Sequence, residues 1–164
     1  MLRFLQKYPH FLEVVYDGFE RVLKPFKPLL KPDSRIEPLV TWVEKVGKEA
    51  VFNCQMCGQC ILHSTGMTCS MNCPKNLRNG PCGGVRNNGN CEVKPEMRCV
   101  WVEAYERSQH MPTYGNELIK IQPPVNRQLE GSSSWINMLH EIDTQNPAGW
   151  VSPEDIEVRL PVEK

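Results

Sequence analysis

The sequence lacks a surplus of charge of either sign, because 19 lysine and arginine residues balance 19 aspartate and glutamate residues among 164. A balanced chain has no net field to attract nucleic acid or anionic lipid, so we expect no nucleic-acid partner. The chain also lacks a hydrophobic run of membrane-spanning length, so we expect no membrane insertion. Its first 22 residues contain Pro9, Glu13 and Asp17 where a signal peptide has an uninterrupted apolar region, which predicts a cytoplasmic location.

Motifs of enzyme catalysis are missing as well. The sequence contains no phosphate-binding loop, dinucleotide-binding fingerprint, catalytic triad or paired-carboxylate site. We therefore expect no catalytic residue in this chain, and we predict an accessory subunit rather than an enzyme that works alone.

Cysteine is absent from the first 53 residues and from the last 65. All eight cysteines lie in the window between these segments: Cys54, Cys57, Cys60, Cys69, Cys73, Cys82, Cys91 and Cys99. Stable disulfides are rare in the cytoplasm, and this window has few large apolar residues with which to build a core. Metal coordination would supply the missing stability, so we predict that all eight cysteines bind metal.

The spacing of the first cysteines favours iron-sulfur clusters over zinc. "CQMCGQC", residues 54 to 60, places three thiolates on one tight loop, as in loops that hold three corners of a 4Fe-4S cluster. Cys73-Pro74 is the Cys-Pro pair that often supplies a further ligand, and eight thiolates match two such clusters. One 4Fe-4S cluster plus zinc, and zinc alone, remain open alternatives.

Sequence order does not give the ligand sets, because two-cluster ferredoxins exchange ligands between their cysteine runs. We expect one site to combine the first loop with the last cysteine, and the other to hold the four between them: Cys54, Cys57, Cys60 and Cys99, then Cys69, Cys73, Cys82 and Cys91. Gly58, Gly83 and Gly84 are either plain turn residues or positions where peptide amides approach sulfur closely. His63 is expected to face solvent.

Apolar periodicity predicts three helices, at residues 10 to 23, at 37 to 47, and from Pro95 onward. The first has an apolar face suited either to its own core or to a partner. "KPFKPLLKPDS" predicts an extended connector, and the Asn-Gly and Gly-Gly pairs between Cys54 and Cys91 predict a long irregular loop region. Short helices are expected near Ser134 and at "SPEDIEV".

These elements predict a mainly α fold, in which a small metal-stapled domain with a long irregular cysteine-rich loop region carries extended N- and C-terminal arms. Residues 1–34 would form an amphipathic helix and a proline-rich connector, and residues 35–110 the iron-sulfur domain flanked by helices. Residues 111–164 would form an extended tail, whose tryptophans favour a position along another subunit.

The cysteine window resembles a known family. "CQMCGQCILHSTGMTCSMNCPKNLRNGPCGG", followed by "NGNCEV" and "CVWVEAYER", is similar to the cysteine-rich small subunit of two-subunit methylenetetrahydrofolate reductases and to an appended C-terminal domain of related proteins. The resemblance covers about residues 50 to 110, and all eight cysteines occupy the motif's positions. Ser70 departs from it, because related sequences often have proline there.

The resemblance implies a larger flavin-bearing subunit as partner, with the flavin and the folate site on that subunit. It implies that this chain carries iron-sulfur clusters and passes electrons toward the flavin, with a further electron-donor subunit possible. The competing hypothesis is a non-redox adaptor, stapled by zinc or a cluster, for a folate or methyl-transfer enzyme.

Overall fold

Helices account for the regular structure of this chain. The computed structural model describes residues 2–147 and 149–150, and its α-helices there are α1 (Pro9–Leu23), α2 (Glu37–Phe52), α3 (Val100–Ser108) and α4 (Ser134–Leu139). Short 3-10 turns connect them, and the described ranges contain no β-strand, only an isolated bridge between Asn90 and Arg98. The mainly α prediction is confirmed for these residues. None of the helices described is long and apolar enough to cross a membrane.

The first two helices agree with the periodicity that predicted them. α1 begins one residue earlier than expected, with Pro9 in its first turn, and α2 continues five residues past the predicted end at Gly47. The extension is stabilised by tertiary packing, since Val51 and Phe52 contact the buried cluster of Leu12, Leu62, Met67 and Met111. α2 ends at Asn53, which has the left-handed conformation with φ of 54° that closes many helices.

The third helix begins five residues later than the prediction from Pro95. Residues 94 to 98 form a turn instead, in which Met97 N–H donates to Lys94 C=O at 2.9 Å. Cys91 N–H then donates to Met97 C=O at 2.9 Å, and Cys99 N–H donates to Gly89 C=O at 3.0 Å. These bonds fold the segment back on itself before α3 begins at Val100. Backbone bonding within the segment therefore outweighs the preference of Pro95 for the first turn of a helix.

The two arms are not extended where the structure describes them, which corrects the sequence expectation. In the N-terminal arm, Gln6 Nε2 donates to Val51 C=O at 2.6 Å, and the carboxylate of Glu13 accepts from the amides of Thr113 and Tyr114 at 2.9 and 2.7 Å. The proline-rich connector is also compact, because Leu30 N–H donates to Phe26 C=O at 2.9 Å. Burial of Leu12 and Leu30 in the apolar clusters explains the difference, since extended arms would leave these two side chains in water.

Within the described residues, the C-terminal segment packs on its own chain. Ile136 and Leu139 of α4 form a buried cluster with Leu30, and the ring of Trp135 lies 4.5 Å from that of Phe19. α4 is the helix predicted near Ser134, and its first turn is capped by the hydroxyl of Ser133. The helix predicted at "SPEDIEV" lies outside the described residues.

Candidate metal centre

Four cysteines converge on one cavity beside α2, which we call the inner site: Cys54, Cys57, Cys60 and Cys69. Three of them follow the C-terminus of α2 directly, where left-handed residues bend the chain at Asn53, Met56 and Gly58. Gly58 is required because a side chain there would collide with the backbone of Leu129. The bends turn successive cysteines of the C-x2-C-x2-C loop toward one side, and Cys69 reaches the cavity from the following segment.

The other four cysteines line a second cavity, which we call the outer site: Cys73, Cys82, Cys91 and Cys99. The fold-back before α3 brings Cys91 and Cys99 together, because their amides bond to the same short loop. Cys99 is also the N-cap residue of α3, so it lies at the positive end of that helix. Gly84 N–H donates to the sulfur of Cys82 at 3.4 Å, which is the amide-to-sulfur approach expected of this glycine.

The structure groups the cysteines differently from the sequence expectation. Cys69 lies with the first loop, and Cys99 lies with Cys73, Cys82 and Cys91. The C-x2-C-x2-C loop and Cys69 meet because the 3-10 turn His63–Thr65, followed by Gly66 with φ of 59°, reverses the chain between them. The fold-back at residues 86 to 99 keeps Cys99 near Cys91 instead. The two sites therefore follow chain order, without the exchange seen in two-cluster ferredoxins.

The chemistry of both donor sets fits a thiophilic metal group. Each cavity is lined by four thiols, none of them in a disulfide, and four thiolates are the ligand set of 4Fe-4S clusters and of structural zinc. The fit is one of donor type and number, because in the described part of the chain no group of three or more His, Cys, Asp or Glu side chains is arranged so that it could hold a metal ion.

The two sites differ in exposure. Cys73, Cys91 and Cys99 of the outer site are buried, but Cys82 is exposed and its Sγ lies 3.5 Å from Oε1 of Glu92. Glu92 also pairs with Lys75, and this pairing lowers the pKa of its carboxyl. The four cysteines of the inner site are all half-buried, so none of them is as exposed as Cys82.

Interactions within the inner site change the acidity of its thiols. The hydrogen bond to Cys69, together with burial, raises the pKa of Cys54, and the same bond lowers the pKa of Cys69. Burial raises the pKa of Cys57.

A buried ion pair forms one wall of the inner site. Lys48 Nζ donates to Glu44 Oε1 at 2.8 Å and to the hydroxyl of Ser134 at 2.6 Å, and both charged residues line the cavity. Burial lowers the pKa of Lys48, but the charges of Cys60 and Glu44 outweigh burial and raise it. Sequence analysis missed this pair because its i, i+4 spacing on α2 is typical of an exposed salt bridge.

A buried arginine, Arg78, contacts the first cysteine loop without lining the inner cavity. Arg78 Nη2 donates at 3.1 Å to the C=O of Gln59, which also accepts from Cys57 Sγ at 3.5 Å. Burial lowers the pKa of the guanidinium, and the charges of Cys57 and Cys60 oppose that shift. Sequence analysis missed Arg78 as well, since nothing in "KNLRNG" distinguishes it from a surface arginine.

His63 is half-buried rather than solvent-facing. Its ring stacks on Tyr16 with the centroids 5.4 Å apart, and its Nε2 lies 3.3 Å from Glu117 Oε2. Burial lowers the pKa of His63, and the Glu117 carboxylate opposes the shift. The histidine therefore belongs to a packed aromatic group rather than to either cysteine set.

Comparison with known proteins gives the family. The model of the family described as methylene-tetrahydrofolate reductase C terminal matches residues 34–128. The chain belongs to this family. The match extends beyond the resemblance at residues 50 to 110, and includes α2 with Lys48 as well as the whole of α3. No curated protein and no solved structure matches the chain.

Proposed function

We propose that this chain is an iron-sulfur electron-transfer subunit that partners a flavin-dependent methylenetetrahydrofolate reductase. The observation that carries the proposal is the division of its eight cysteines into two sets of four, each around one cavity, in a member of this reductase-related family. Two 4Fe-4S clusters use eight thiolates in this pattern. The inner four thiolates would hold one cluster and the outer four the other.

A 4Fe-4S cluster supplies one-electron transfer when bound, which allows a two-electron flavin to be filled in single steps. The residues of this chain provide the environment of that chemistry. The inner cysteines are half-buried, which limits the access of water, and the amides of Met56 and Gly84, each 3.4 Å from a cysteine sulfur, donate to that sulfur. Such bonds stabilise negative charge on sulfur and help to set its reduction potential.

Exposed apolar residues on α1 and α2 support a macromolecular partner. α1 carries Phe11, Val14, Val15 and Val22, and α2 carries Leu39, Trp42, Val43 and Val46, all exposed in the chain alone. On α2, residues 39, 43 and 46 follow helical i, i+4, i+7 spacing, so they form one stripe. Large apolar surfaces of this kind mark interaction sites. We assign them to contact with the flavin-bearing subunit.

The first experiment is anaerobic purification followed by iron, sulfide and zinc analysis per chain. About eight iron and eight sulfide are expected for two cubane clusters. Stoichiometric zinc without iron would contradict electron transfer and leave the adaptor hypothesis. Co-purification with the flavin subunit, detected by flavin absorbance, tests the partnership separately, because an adaptor would also retain it.

A further inference from the structure

We propose that Arg78 is a positioning residue of the inner site, whose buried cation faces the four-thiolate group bound there and raises the reduction potential of that group. The inference rests on the proposed function, because it concerns the environment of the inner cluster. It adds an assignment that the cysteine motif does not contain.

Arg78 is buried without enough partners for its donors. Only 8% of the residue is exposed, and its Nη2 is used by Gln59 C=O, but Nε and Nη1 have no hydrogen-bond partner among the described residues. A guanidinium carries five N–H donors, and burying them without acceptors costs free energy. The arrangement is therefore incomplete without a further acceptor near Nε and Nη1.

The surroundings of the guanidinium indicate where that acceptor lies. Gln59 lies between Cys57 and Cys60 on the first loop, and its carbonyl joins Arg78 to the thiol of Cys57. The charge of both cysteines acts on Arg78, as does the more distant carboxylate of Asp143. Thiolates of this loop bound to a cluster would bring negative charge close to the guanidinium, because Arg78 and the thiol of Cys57 share the Gln59 carbonyl.

The buried cation in the wall of the inner site is already neutralised. Lys48 lines the cavity, but it is paired with Glu44, so this pair adds little net charge. Arg78 has no carboxylate paired with it among the described residues, and a full positive charge acts strongly in a site of low dielectric constant. Because reduction adds one negative charge to a cluster, a nearby cation favours the reduced form and raises the potential.

The test is a redox titration of the anaerobically purified full chain, followed by electron paramagnetic resonance so that two clusters can be resolved. Arg78→Gln removes the charge. We expect the ratio of reduced to oxidised cluster at a fixed potential to fall about tenfold for the inner cluster and to stay unchanged for the outer cluster. For a one-electron couple this ratio corresponds to a shift of about 59 mV. Arg78→Lys keeps the charge and should restore most of the potential.

Arg127→Gln is the matched control, because Arg127 is an exposed arginine paired with Glu130, outside both cysteine sets. It should leave both potentials unchanged. An Arg78→Gln protein with full iron and unchanged potentials would overturn the inference and leave the proposed function intact. If Arg78→Gln fails to retain iron, Arg78→Lys tests the inference instead. Retained iron with a wild-type potential in Arg78→Lys supports the inference, and loss of iron in Arg78→Lys overturns it. A wild-type chain without iron would overturn the proposed function first.

Discussion

The carboxylate of Glu44 accepts a hydrogen bond of 2.6 Å from the hydroxyl of Ser133, 89 residues further along the chain. The same carboxylate binds Lys48 at 2.8 Å and the amide of Ser134 at 3.2 Å, and it is almost fully buried. Glu44 therefore attaches the first turn of α4 to the middle of α2 at the wall of the inner site. The C-terminal segment is held here by polar bonds as well as by its apolar cluster.

Glu44→Ala should strongly destabilise the fold, because it leaves the ammonium of Lys48 buried without its counter-ion. Breaking one partner of a buried pair costs about 3 to 5 kcal/mol. Urea unfolding under anaerobic conditions measures the change. Glu130→Ala is the control, since Glu130 forms an exposed pair with Arg127 and should change stability by less than about 1 kcal/mol. Equal changes in the free energy of unfolding for the two substitutions would show that the buried pair contributes no more to stability than the exposed pair.

The grouping of the cysteines predicts which substitutions behave alike. Cys57→Ser and Cys69→Ser should both remove the inner cluster, and Cys91→Ser and Cys99→Ser the outer one, so each lowers iron from about eight to about four per chain. Melting temperature should fall with the iron, because metal binding and folding are linked.

Electron paramagnetic resonance spectra of the residual cluster identify the group. Cys57→Ser and Cys69→Ser should give the same residual spectrum, and Cys99→Ser a different one. A match between Cys57→Ser and Cys99→Ser, with a different spectrum for Cys69→Ser, would contradict the grouping. Ser70→Ala, next to Cys69 but without a thiol, is the control and should keep full iron.

Replacing exposed apolar residues on the helices should weaken binding of the flavin subunit. The double variant Val22→Asp with Val43→Asp places charges on the exposed faces of α1 and α2. We expect at least a tenfold rise in the dissociation constant, since charge at the core of an interface costs more than about 1.4 kcal/mol. Titration calorimetry with the isolated flavin subunit measures this constant.

Ile121→Asp is a suitable control for this surface, because Ile121 is 90% exposed yet lies on neither helix. Its binding should match the wild-type chain. Iron content should stay unchanged in both variants, and an unaltered dissociation constant in the double variant would place the contact elsewhere.

His63 should make stability depend on pH in the mildly acidic range. Burial lowers its pKa in the folded chain, so the unfolded chain binds the proton first as the pH falls below about 6.5. Stability from His63 is therefore present above that value and is lost as the pH falls toward the folded-state pKa. One proton gives a slope of at most about 1.4 kcal/mol per pH unit.

His63→Phe keeps an aromatic ring between Tyr16 and Tyr114 and removes the titration. Urea unfolding at pH 7.5 and at pH 5.5 should show a smaller loss of stability in this variant than in the wild-type chain. His110→Phe is the control at an exposed histidine, and it should retain the wild-type loss. An unchanged loss in His63→Phe would exclude His63 as its source.

The sequence alone predicted two of the helices, the region of the candidate metal centre and the family. Helical periodicity predicted α1 and the first part of α2, because apolar spacing of three and four residues has one simple solution in an amphipathic helix. The confinement of eight cysteines to one window predicted the region of the candidate metal centre, and the motif around them predicted the family that the comparison shows.

Only the tertiary structure decided which residues meet. The amides of Cys91 and Cys99 stabilise the fold-back that delays α3 and keeps Cys99 near Cys91. Such backbone bonds leave no periodic trace in a sequence. The sequence gives no sign that Glu44, Lys48 and Arg78 are buried. Their burial depends on residues far along the chain, as in the bond from Ser134 to Glu44, 90 positions away. The arms pack on the domain because their side chains in the two apolar clusters are thereby removed from water.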